Sequence, residues 1–311
     1  MPFFSVIIPL FNKEKHINTT LASVLSQTFD DFEIIVINDG STDNSLKIVE
    51  AIIDSRIVLH TIKNQGVSFA RNHGIEKASS NLVVFLDADD NWLPNHLENL
   101  KKLYNKFPDC GLYATAYTTQ TGGKFIPSEY YNIPKTHDWM GIVPDFFESC
   151  RINCIASSSS VMIPKTVFNA IGAFNVNYNS GEDIDLWIRI GIHYKVAFTK
   201  INSVIITTDA KNRVSQFNIN QRQHIGFDDY KEELTNESLK QYLDLNRFAL
   251  AIQHRVVGNP KEAKQLIDNI QLSNLTYKQR FLLHLNAPLL KSILFLKNWL
   301  HKSGIHLSSF K

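Results

Sequence analysis

The sequence predicts an α/β fold: a mostly parallel central sheet flanked by helices, followed by a helical C-terminal region. Short apolar runs alternate with helical patterns through the first hundred residues, and this order is typical of a parallel sheet covered on both faces. The strands are continuous apolar runs, as expected for strands buried on both sides. After about Phe217 the sequence becomes polar and helix-favouring. We therefore predict an α/β domain over residues 1–216 and a helical region over 217–311.

The first four strands and three helices follow from apolar periodicity and from helix signals. Strands are predicted at 5–9, 32–37, 56–62 and 82–86, with helices at 15–27, after 42–43 and at 66–78. In the first helix, Ile17 and Leu21 recur at helical spacing. Thr42 or Asp43 is suited to cap the second helix, which we expect to continue as far as Ile53.

Beyond about residue 91 the alternation loosens. Pro94 suits the first turn of a helix that runs to about 107. Strands are predicted at 111–118 and 157–163, and the segment 119–134 is predicted to be a loop because it is rich in Gly, Thr, Tyr and Pro. A helix over 181–192 begins with acidic residues, which the helix dipole favours.

The overall composition is that of an ordinary globular protein. Hydrophobic residues make up 44% of the 311 residues and the formal net charge is +2, so neither disorder nor a nucleic-acid partner is indicated. The spacing of Cys150 and Cys154 lacks a second ligand pair, which favours free thiols in a reducing cytoplasm. The start of the chain reads as a strand, and no run approaches the ~20 apolar residues of a membrane span. We therefore expect a soluble or peripheral cytoplasmic protein.

Three carboxylates crowd the predicted carboxyl end of a buried strand, in the motif Asp87-Ala88-Asp89-Asp90. Ligands bind at that end of the strands in open α/β sheets. Like charges this close repel one another, and a bound cation relieves the repulsion. Oxygen ligands favour Mg²⁺ or Mn²⁺, held by one or two carboxylates and by substrate phosphates. We therefore expect a cation at Asp87 and Asp89; helix capping is the alternative, and it suits Asp90 best.

Two further motifs end at the same predicted edge of the sheet. Asp39 follows a strand and can accept hydrogen bonds from a base or ribose, while Gly40 lets the backbone turn close to a ligand. A plain turn is the alternative for this motif. Gly66 opens a helix whose N-terminus attracts anions, and Arg71 within it can meet a phosphate, clamp Asp39, or lie on the surface.

Together these motifs resemble the family-2 glycosyltransferases, which are inverting enzymes of the GT-A fold. The matching motifs lie in order over about residues 3–195: Ser5-Val6-Ile7-Ile8-Pro9-x-x-Asn12, Asn38-Asp39-Gly40-Ser41-x-Asp43, Gly66-x-x-x-Ala70-Arg71-Asn72, Phe85-Leu86-Asp87-Ala88-Asp89-Asp90, Ile171-Gly172-Ala173-Phe174 and Gly181-Glu182-Asp183-x-Asp185-Leu186-Trp187. The resemblance implies a metal-dependent, inverting transfer of a sugar from a nucleotide-diphosphate donor to an acceptor hydroxyl. It also implies a place in cell-surface polysaccharide or glycolipid biosynthesis.

The resemblance assigns a role to each matching position. Asp183 would be the general base, and Glu182 beside it would orient the acceptor. Asp89 would ligate Mn²⁺ or Mg²⁺, and Asp87 would contact the ribose or the metal shell. Asp39 would bind the nucleobase. The rest of the nucleotide-sugar pocket would include Pro9, Asn12, Gly66, Arg71 and Ala88. A helix start alone would also account for the charge of Asp183.

The sequence departs from the family in the loop that follows the Glu182-Asp183 motif. Many members carry a basic or histidine-containing loop there, which reaches the diphosphate. The corresponding segment 208–215 has no histidine and offers Arg213 or Lys211 instead. The Gln-x-x-Arg-Trp motif of processive synthases is absent, which favours a single addition. We expect Trp187 to be a packing residue.

Two other functions compete with sugar transfer. A sugar-1-phosphate nucleotidyltransferase would need a Gly-rich, basic loop directly after the first strand, and residues 9–13 do not offer one. A catalytically inactive nucleotide-sugar-binding module is the other alternative, and the presence of Asp87, Asp89 and Asp183 argues against it. The donor would be a UDP-, GDP- or dTDP-sugar, and the acceptor a saccharide or a lipid-linked saccharide.

The C-terminal tail carries a distinctive charge pattern. From Asn269 onward there is no Asp or Glu, while lysines, arginine, leucines and Trp299 are interspersed. A basic amphipathic helix of this kind is typical of an element lying on a membrane surface. A helix packed against the rest of the protein is the alternative. If the tail binds lipid, we expect the protein at the inner face of the cytoplasmic membrane.

Overall fold

The structure, a computed structural model, describes residues 1–211, 213 and 218–302, with side chains as far as residue 296. The strands are β1 (Phe4–Leu10), β2 (Phe32–Asp39), β3 (Ile57–Ile62), β4 (Leu82–Phe85), β5 (Asn91–Trp92), β6 (Leu112–Thr121), β7 (Lys124–Pro127), β8 (Met140–Ile142), β9 (Val161–Pro164) and β10 (Val196–Thr207). The helices are α1 (Ile17–Leu25), α2 (Ser45–Glu50), α3 (Val67–Lys77), α4 (His96–Lys106), α5 (Phe146–Ser149), α6 (Lys165–Ile171), α7 (Glu182–His193), α8 (Glu237–Val257), α9 (Pro260–Asp268), α10 (Tyr277–His284) and α11 (Ala287–Lys302).

The described strands form one mixed sheet in the order β3-β2-β1-β4-β9-β6-β10-β5, with β7 added to β6 and β8 to β10. Strands β3, β2, β1 and β4 are mutually parallel, as are β6 and β10. Strand β9 runs antiparallel between β4 and β6. The predicted α/β fold with a mostly parallel central sheet is therefore confirmed. Because β1, β2 and β4 are parallel, the loops that follow them meet at one edge of the sheet.

Successive residues of the central strands point into two different layers. Ile7 belongs to a core cluster on one face of the sheet and Ile8 to the cluster on the other face, and both are fully buried. This alternation explains why the strand is apolar throughout. Helix α3 packs against β1 at Gly74, where the absence of a side chain permits a close approach. A Cβ atom at that position would lie only 2.4 Å from Cγ2 of Ile7.

The helical C-terminal region shares the core of the α/β part. Leu239, Tyr242 and Leu243 of α8 belong to the same buried cluster as the sheet residue Ile7. The predicted boundary at residue 216 lies outside the described residues. Helices α8, α10 and α11 also enclose a smaller core of their own, formed by Leu245, Phe248, Ile252, Ile270, Leu275, Leu283 and Leu290. None of the helices in the described part of the chain is long and apolar enough to cross a membrane.

Several predicted elements were wrong in detail. Helix α2 ends at Glu50, and Ile53 is fully exposed rather than on its buried face. The predicted loop 119–134 contains a hairpin, because β7 pairs with β6. The predicted strand 157–163 begins as a 3₁₀ turn over Ser158–Ser160. Strand β10 was missed, since the polar residues Lys200 and Asn202 interrupt its apolar pattern at an irregularity in its pairing with β6.

Candidate active site

The two acidic motifs are joined by one buried arginine. Nη2 of Arg71 donates to Oδ1 of Asp87 across 2.8 Å, and its Nη1 donates to Oε1 of Glu182 across 2.9 Å. Asp87 lies two residues after the end of β4, and Glu182 is the first residue of α7. The edge of the sheet and the N-terminus of α7 therefore come together at a single guanidinium.

Neighbouring carboxylates stabilise the charged form of Arg71. Burial alone would lower its pKa, but the carboxylates of Asp87 and Glu182 raise the pKa above the usual value. The guanidinium also lies 5.1 Å from the centre of the Phe174 ring. Within the described part of the chain Arg71 makes no hydrogen bond or ion pair with Asp39, so the clamp considered from the sequence is not formed.

Asp39 is bound to the backbone of the loop that precedes α3. Its two carboxylate oxygens accept hydrogen bonds from the N–H groups of Gln65 and Gly66, each at 2.8 Å. Gly66 has φ +91°, a conformation that favours glycine, and it directly precedes α3. Burial raises the pKa of Asp39. The carboxylate thus shapes the loop, and its expected contact with a nucleobase stays a prediction.

The loops after β1 and β2 are tied together by Asn12. Its backbone adopts φ +52°, and its Oδ1 accepts a hydrogen bond of 2.7 Å from the N–H of Thr42. The N–H of Asn12 donates to Oγ of Ser41 across 3.1 Å. Pro9 is half-buried in β1 opposite Ile37 of β2. These residues form the edge of the sheet at which a nucleotide was expected.

Asp89 pairs with a lysine that sequence reasoning missed. Nζ of Lys13 lies 2.8 Å from Oδ2 of Asp89 and donates also to the carbonyl of Lys211 at 2.8 Å. Nη1 of Arg213 lies 3.9 Å from the same carboxylate oxygen. Ala88 is buried, and its carbonyl accepts a hydrogen bond from Thr20. Lys13 directly follows Asn12 at the end of β1, and that position could have identified it.

Asp90 has a structural role different from the helix cap that was expected. Its carboxylate accepts hydrogen bonds from Oγ of Ser159 at 2.6 Å and from the N–H of Thr207 at 2.9 Å. Helix α4 begins at His96, with Asn95 at its cap position. Burial, followed by the charges of Asp87 and Asp89, raises the pKa of Asp90 well above its usual value. This carboxyl links the end of β4 to the end of β10.

The crowding of carboxylates is relieved in part by basic side chains of the chain itself. Asp87 is paired with Arg71, and Asp89 with Lys13. Among the described residues, no group of three or more His, Cys, Asp and Glu side chains is placed to hold a metal ion. A cation that takes most of its ligands from phosphates needs only one or two carboxylates. Asp89 and Asp87 fit that smaller requirement, so the metal stays a prediction.

Asp183 is the least engaged carboxylate of the second motif. It is half-buried, and within the described part of the chain its carboxylate accepts one hydrogen bond, from the N–H of Ile184 at 2.8 Å. Burial and the charge of Glu182 raise its pKa to about 6, while Arg71 opposes the rise. The group is therefore mostly ionised at neutral pH and has lone pairs available to accept a proton.

The neighbouring carboxylate of Asp185, in contrast, already accepts hydrogen bonds from other side chains. It accepts hydrogen bonds of 2.6 Å from Tyr230 and from Nη2 of Arg189. Arg189 also donates to the backbone carbonyls of residues 171–173, which hold the turn before Phe174. Trp187 is 1% exposed and packs against Phe174, as expected for a packing residue.

The turn that precedes α7 is bound by the chain after β10, an arrangement that the sequence did not indicate. The N–H of Asn179 donates to the carbonyl of Gln223, and its side-chain oxygen accepts from the N–H of Gln223 at 2.8 Å. Ser180 forms a parallel bridge with His224. The segment after residue 218 therefore holds the turn that leads into Glu182 and Asp183.

Comparison with known proteins identifies the family. A sequence profile described as Glycosyl transferase family 2 matches residues 5–158. The Escherichia coli protein UDP-Glc:alpha-D-GlcNAc-diphosphoundecaprenol beta-1,3-glucosyltransferase WfgD is 30% identical over 196 residues, which are 60% of this chain and 68% of that protein. The chain belongs to the family-2 glycosyltransferases.

Several other relatives are longer than this chain, and a solved structure shares its fold. An uncharacterized glycosyltransferase of Rickettsia bellii is 32% identical over 233 residues, or 71% of this chain and 32% of that protein. The chain spans between 32% and 42% of the length of the first four curated relatives. The crystal structure of S. aureus TarS 1-349 in complex with UDP-GlcNAc has a TM-score of 0.62 at 18% identity, covering 98% of this chain and 93% of TarS 1-349. The likeness to TarS concerns the fold alone, and it covers almost the whole chain.

Proposed function

We propose that this protein transfers a sugar from a nucleoside-diphosphate donor to an acceptor hydroxyl, with inversion at the anomeric carbon. The observation that carries the proposal is the guanidinium of Arg71, which joins Asp87 to Glu182. It brings the predicted donor side of the site next to the helix that carries Asp183. Asp183 suits the base of this reaction, because its carboxylate is half-buried and has lone pairs free of hydrogen bonds within the described part of the chain. It lies beside the edge of the sheet at which nucleotides bind in α/β folds.

The chemistry follows from the position of Asp183. The acceptor oxygen forms a bond to the anomeric carbon as the bond from that carbon to the diphosphate oxygen breaks. The acceptor proton passes to the carboxylate of Asp183, and the electron pair of the broken bond leaves with the diphosphate. Attack from the face opposite the leaving group inverts the configuration. A positioned general base contributes about 10²–10⁴ in rate, and alignment of donor and acceptor contributes further.

The remaining charged residues bind and orient. Glu182, held by Arg71, would orient the acceptor beside the base. Lys13 and Arg213 near Asp89 put positive charge where a diphosphate would lie, and Asp39 is proposed to bind the nucleobase. A Mn²⁺ or Mg²⁺ ion held by Asp89 and Asp87 would neutralise charge on the leaving diphosphate. These roles are proposals for the chain's own residues.

Donor and acceptor classes are proposed from the relatives. TarS was solved with UDP-GlcNAc, and the name of WfgD gives UDP-Glc as donor and a diphosphoundecaprenol-linked saccharide as acceptor. We therefore propose a UDP-sugar ahead of a GDP- or dTDP-sugar, and a lipid-linked saccharide as acceptor. Such a reaction belongs to polysaccharide or glycolipid biosynthesis in the cytoplasm.

A binding and release experiment tests the proposed reaction. Calorimetry with UDP-, GDP- and dTDP-sugars in the presence of Mn²⁺ finds the donor, and release of nucleoside diphosphate reports turnover. Asp183→Asn should keep donor affinity within about threefold and lose turnover by a factor of about 10²–10⁴. Asp31→Asn is the control, because Asp31 is exposed at the opposite edge of the sheet. Equal losses of affinity and turnover in Asp183→Asn would contradict its assignment as the base.

A further inference from the structure

The C-terminal helices expose both large apolar and basic side chains. The apolar side chains are Leu272, Tyr277, Phe281, Leu289, Phe295 and Leu296, and the basic ones are Lys278, Arg280 and Lys291. We call this set the apolar–basic surface. Tyr277 is 78% exposed and Phe295 74%, so these side chains are almost as open to solvent as in an extended chain.

Packing of the helices does not account for these exposed side chains. Leu283 of α10 and Leu290 of α11 are buried in a core with Phe248 of α8. Helix α11 therefore already has an inner face, and Leu289 and Leu296 lie seven residues apart on another side of it. The helices therefore pack on the protein and still leave apolar side chains in solvent, and binding to a membrane stays a prediction.

Charge is separated sharply between this region and the rest of the chain. Six of the 32 Lys and Arg residues and none of the 30 Asp and Glu residues follow Asp268. Residues 269–311 therefore carry a formal charge of +6, and residues 1–268 carry −4. Within the described side chains of the apolar–basic surface, no carboxylate of its own segment neutralises Lys278, Arg280 or Lys291. The complementary partner is negatively charged and able to accept apolar side chains.

We propose that the apolar–basic surface binds the anionic face of a lipid bilayer. Aromatic and leucine side chains would enter the boundary between headgroups and acyl chains, and the basic side chains would meet lipid phosphates. Helix α11 has 16 residues, or about 24 Å at ~1.5 Å per residue, which is shorter than a hydrocarbon core of ~30 Å. In the proposed complex, α11 therefore lies along the surface of the bilayer.

Binding to a lipid surface would serve the proposed reaction without being part of it. An acceptor attached to a lipid is confined to the membrane surface, and a surface that binds lipid would bring the transferase to it. Vesicle binding needs neither donor nor acceptor, so it is measured independently of turnover. If the chain proved not to catalyse the proposed reaction, the lipid-binding proposal would be unaffected. If the chain proved not to bind lipid, the proposed reaction would be unaffected.

Vesicle flotation of the full chain tests the proposal. The probes are phosphatidylcholine vesicles with and without 30 mol% phosphatidylglycerol, a fraction of about a third chosen to give a strongly anionic surface. Binding to the anionic vesicles should be at least about tenfold stronger than to the neutral ones, and should weaken as salt is raised from about 0.05 to 0.5 M. Equal binding to both vesicles, or no binding to either, would overturn the proposal.

Variants assign the binding to this surface. Phe281→Ser with Phe295→Ser should weaken binding to anionic vesicles by about tenfold or more, and Lys278→Glu with Arg280→Glu should do the same. Leu234→Ser is the matched control, because Leu234 is 82% exposed outside the C-terminal helices. Binding by both double variants at the strength of the parent would refute the assignment.

Analytical ultracentrifugation completes the test. Self-association through the same side chains, without vesicle binding, would replace the lipid partner with a second copy of the chain.

Discussion

Nη1 of Arg71 lies 2.9 Å from Oε1 of Glu182, although 111 residues separate them in the chain. Both side chains are largely buried, and the same guanidinium also holds Asp87. The pair therefore fixes the N-terminus of α7 against the end of β4. A site divided between two halves of a sequence depends on such a contact, because without it the buried carboxylate of Glu182 would have no charged partner among the described residues.

Replacement of Arg71 should destabilise the protein. Arg71→Ala leaves the carboxylates of Asp87 and Glu182 without their cation, and removal of one partner from a buried pair costs about 3–5 kcal/mol. We expect the lower end of this range, about 3 kcal/mol, because the side chain of Asp87 is 32% exposed. Urea unfolding measures the change. Arg56→Ala, which breaks a surface pair with Asp54, should cost no more than about 1 kcal/mol; equal effects of the two variants would contradict the role of Arg71.

The position of the site was predictable, but the partners of its side chains were not. Asp39 and Asp87 meet at one edge because β1, β2 and β4 are parallel apolar strands, and apolar runs are visible in a sequence. The pairing of Lys13 with Asp89 joins residues 76 positions apart, and no local pattern reports such a contact. Charge crowding alone therefore indicated a cation without showing that a lysine already stands beside Asp89.

Errors in the elements have similarly specific causes. The apolar pair at 52–53 suggested a longer α2, yet Ile53 points into solvent, so periodicity at the end of a helix did not report burial. Strand β10 was missed because Lys200 and Asn202 are polar where its pairing with β6 is irregular. In both places tertiary contacts decide the outcome, and the local sequence is ambiguous.

The turnover rate should fall at acidic pH as Asp183 becomes protonated. Its pKa is raised to about 6, so the carboxylate is ionised above that pH and can accept the acceptor proton. Below about pH 6 the protonated group cannot act as a base, and the rate should fall about tenfold per pH unit. A kcat profile from pH 5 to 8 measures this limb. The residual activity of Asp183→Asn should lack it; an unchanged acidic limb in that variant would assign the titration to another group.

Asp90 should contribute to stability rather than to chemistry. Asp90→Ala removes the acceptor for Ser159 and for the N–H of Thr207, and each buried unsatisfied donor costs about 1–3 kcal/mol. We expect a loss of about 2 kcal/mol or more in the free energy of unfolding. Asp90→Asn keeps one amide oxygen as acceptor and should lose less. Chemical denaturation compares the three proteins, and an alanine variant as stable as the parent would refute this role.

Asn179 should act as a positioning residue for the proposed base. Its side-chain oxygen accepts from the N–H of Gln223, and this bond holds the turn that leads into α7. Asn179→Ala should lower kcat by about tenfold, because small displacements of a catalytic group are costly, while the donor KM and the acidic limb stay unchanged. Asn179→Asp keeps the accepting oxygen and should restore most of the rate. A rise in donor KM with unchanged kcat in the alanine variant would place its effect on donor binding instead.

Metal dependence can be separated from the charge of Lys13. If a divalent cation joins Asp89 to the diphosphate, EDTA should abolish turnover and Mn²⁺ or Mg²⁺ should restore it. Asp89→Asn should reduce the restored rate by about 10² or more, since it removes the carboxylate on which the ion depends. Lys13→Met tests the alternative that the ammonium group, 2.8 Å from Asp89, supplies the positive charge. Full activity in EDTA together with a large loss in Lys13→Met would show that the chain neutralises the leaving diphosphate with its own lysine. Loss in EDTA with a modest effect of Lys13→Met would assign that task to the ion.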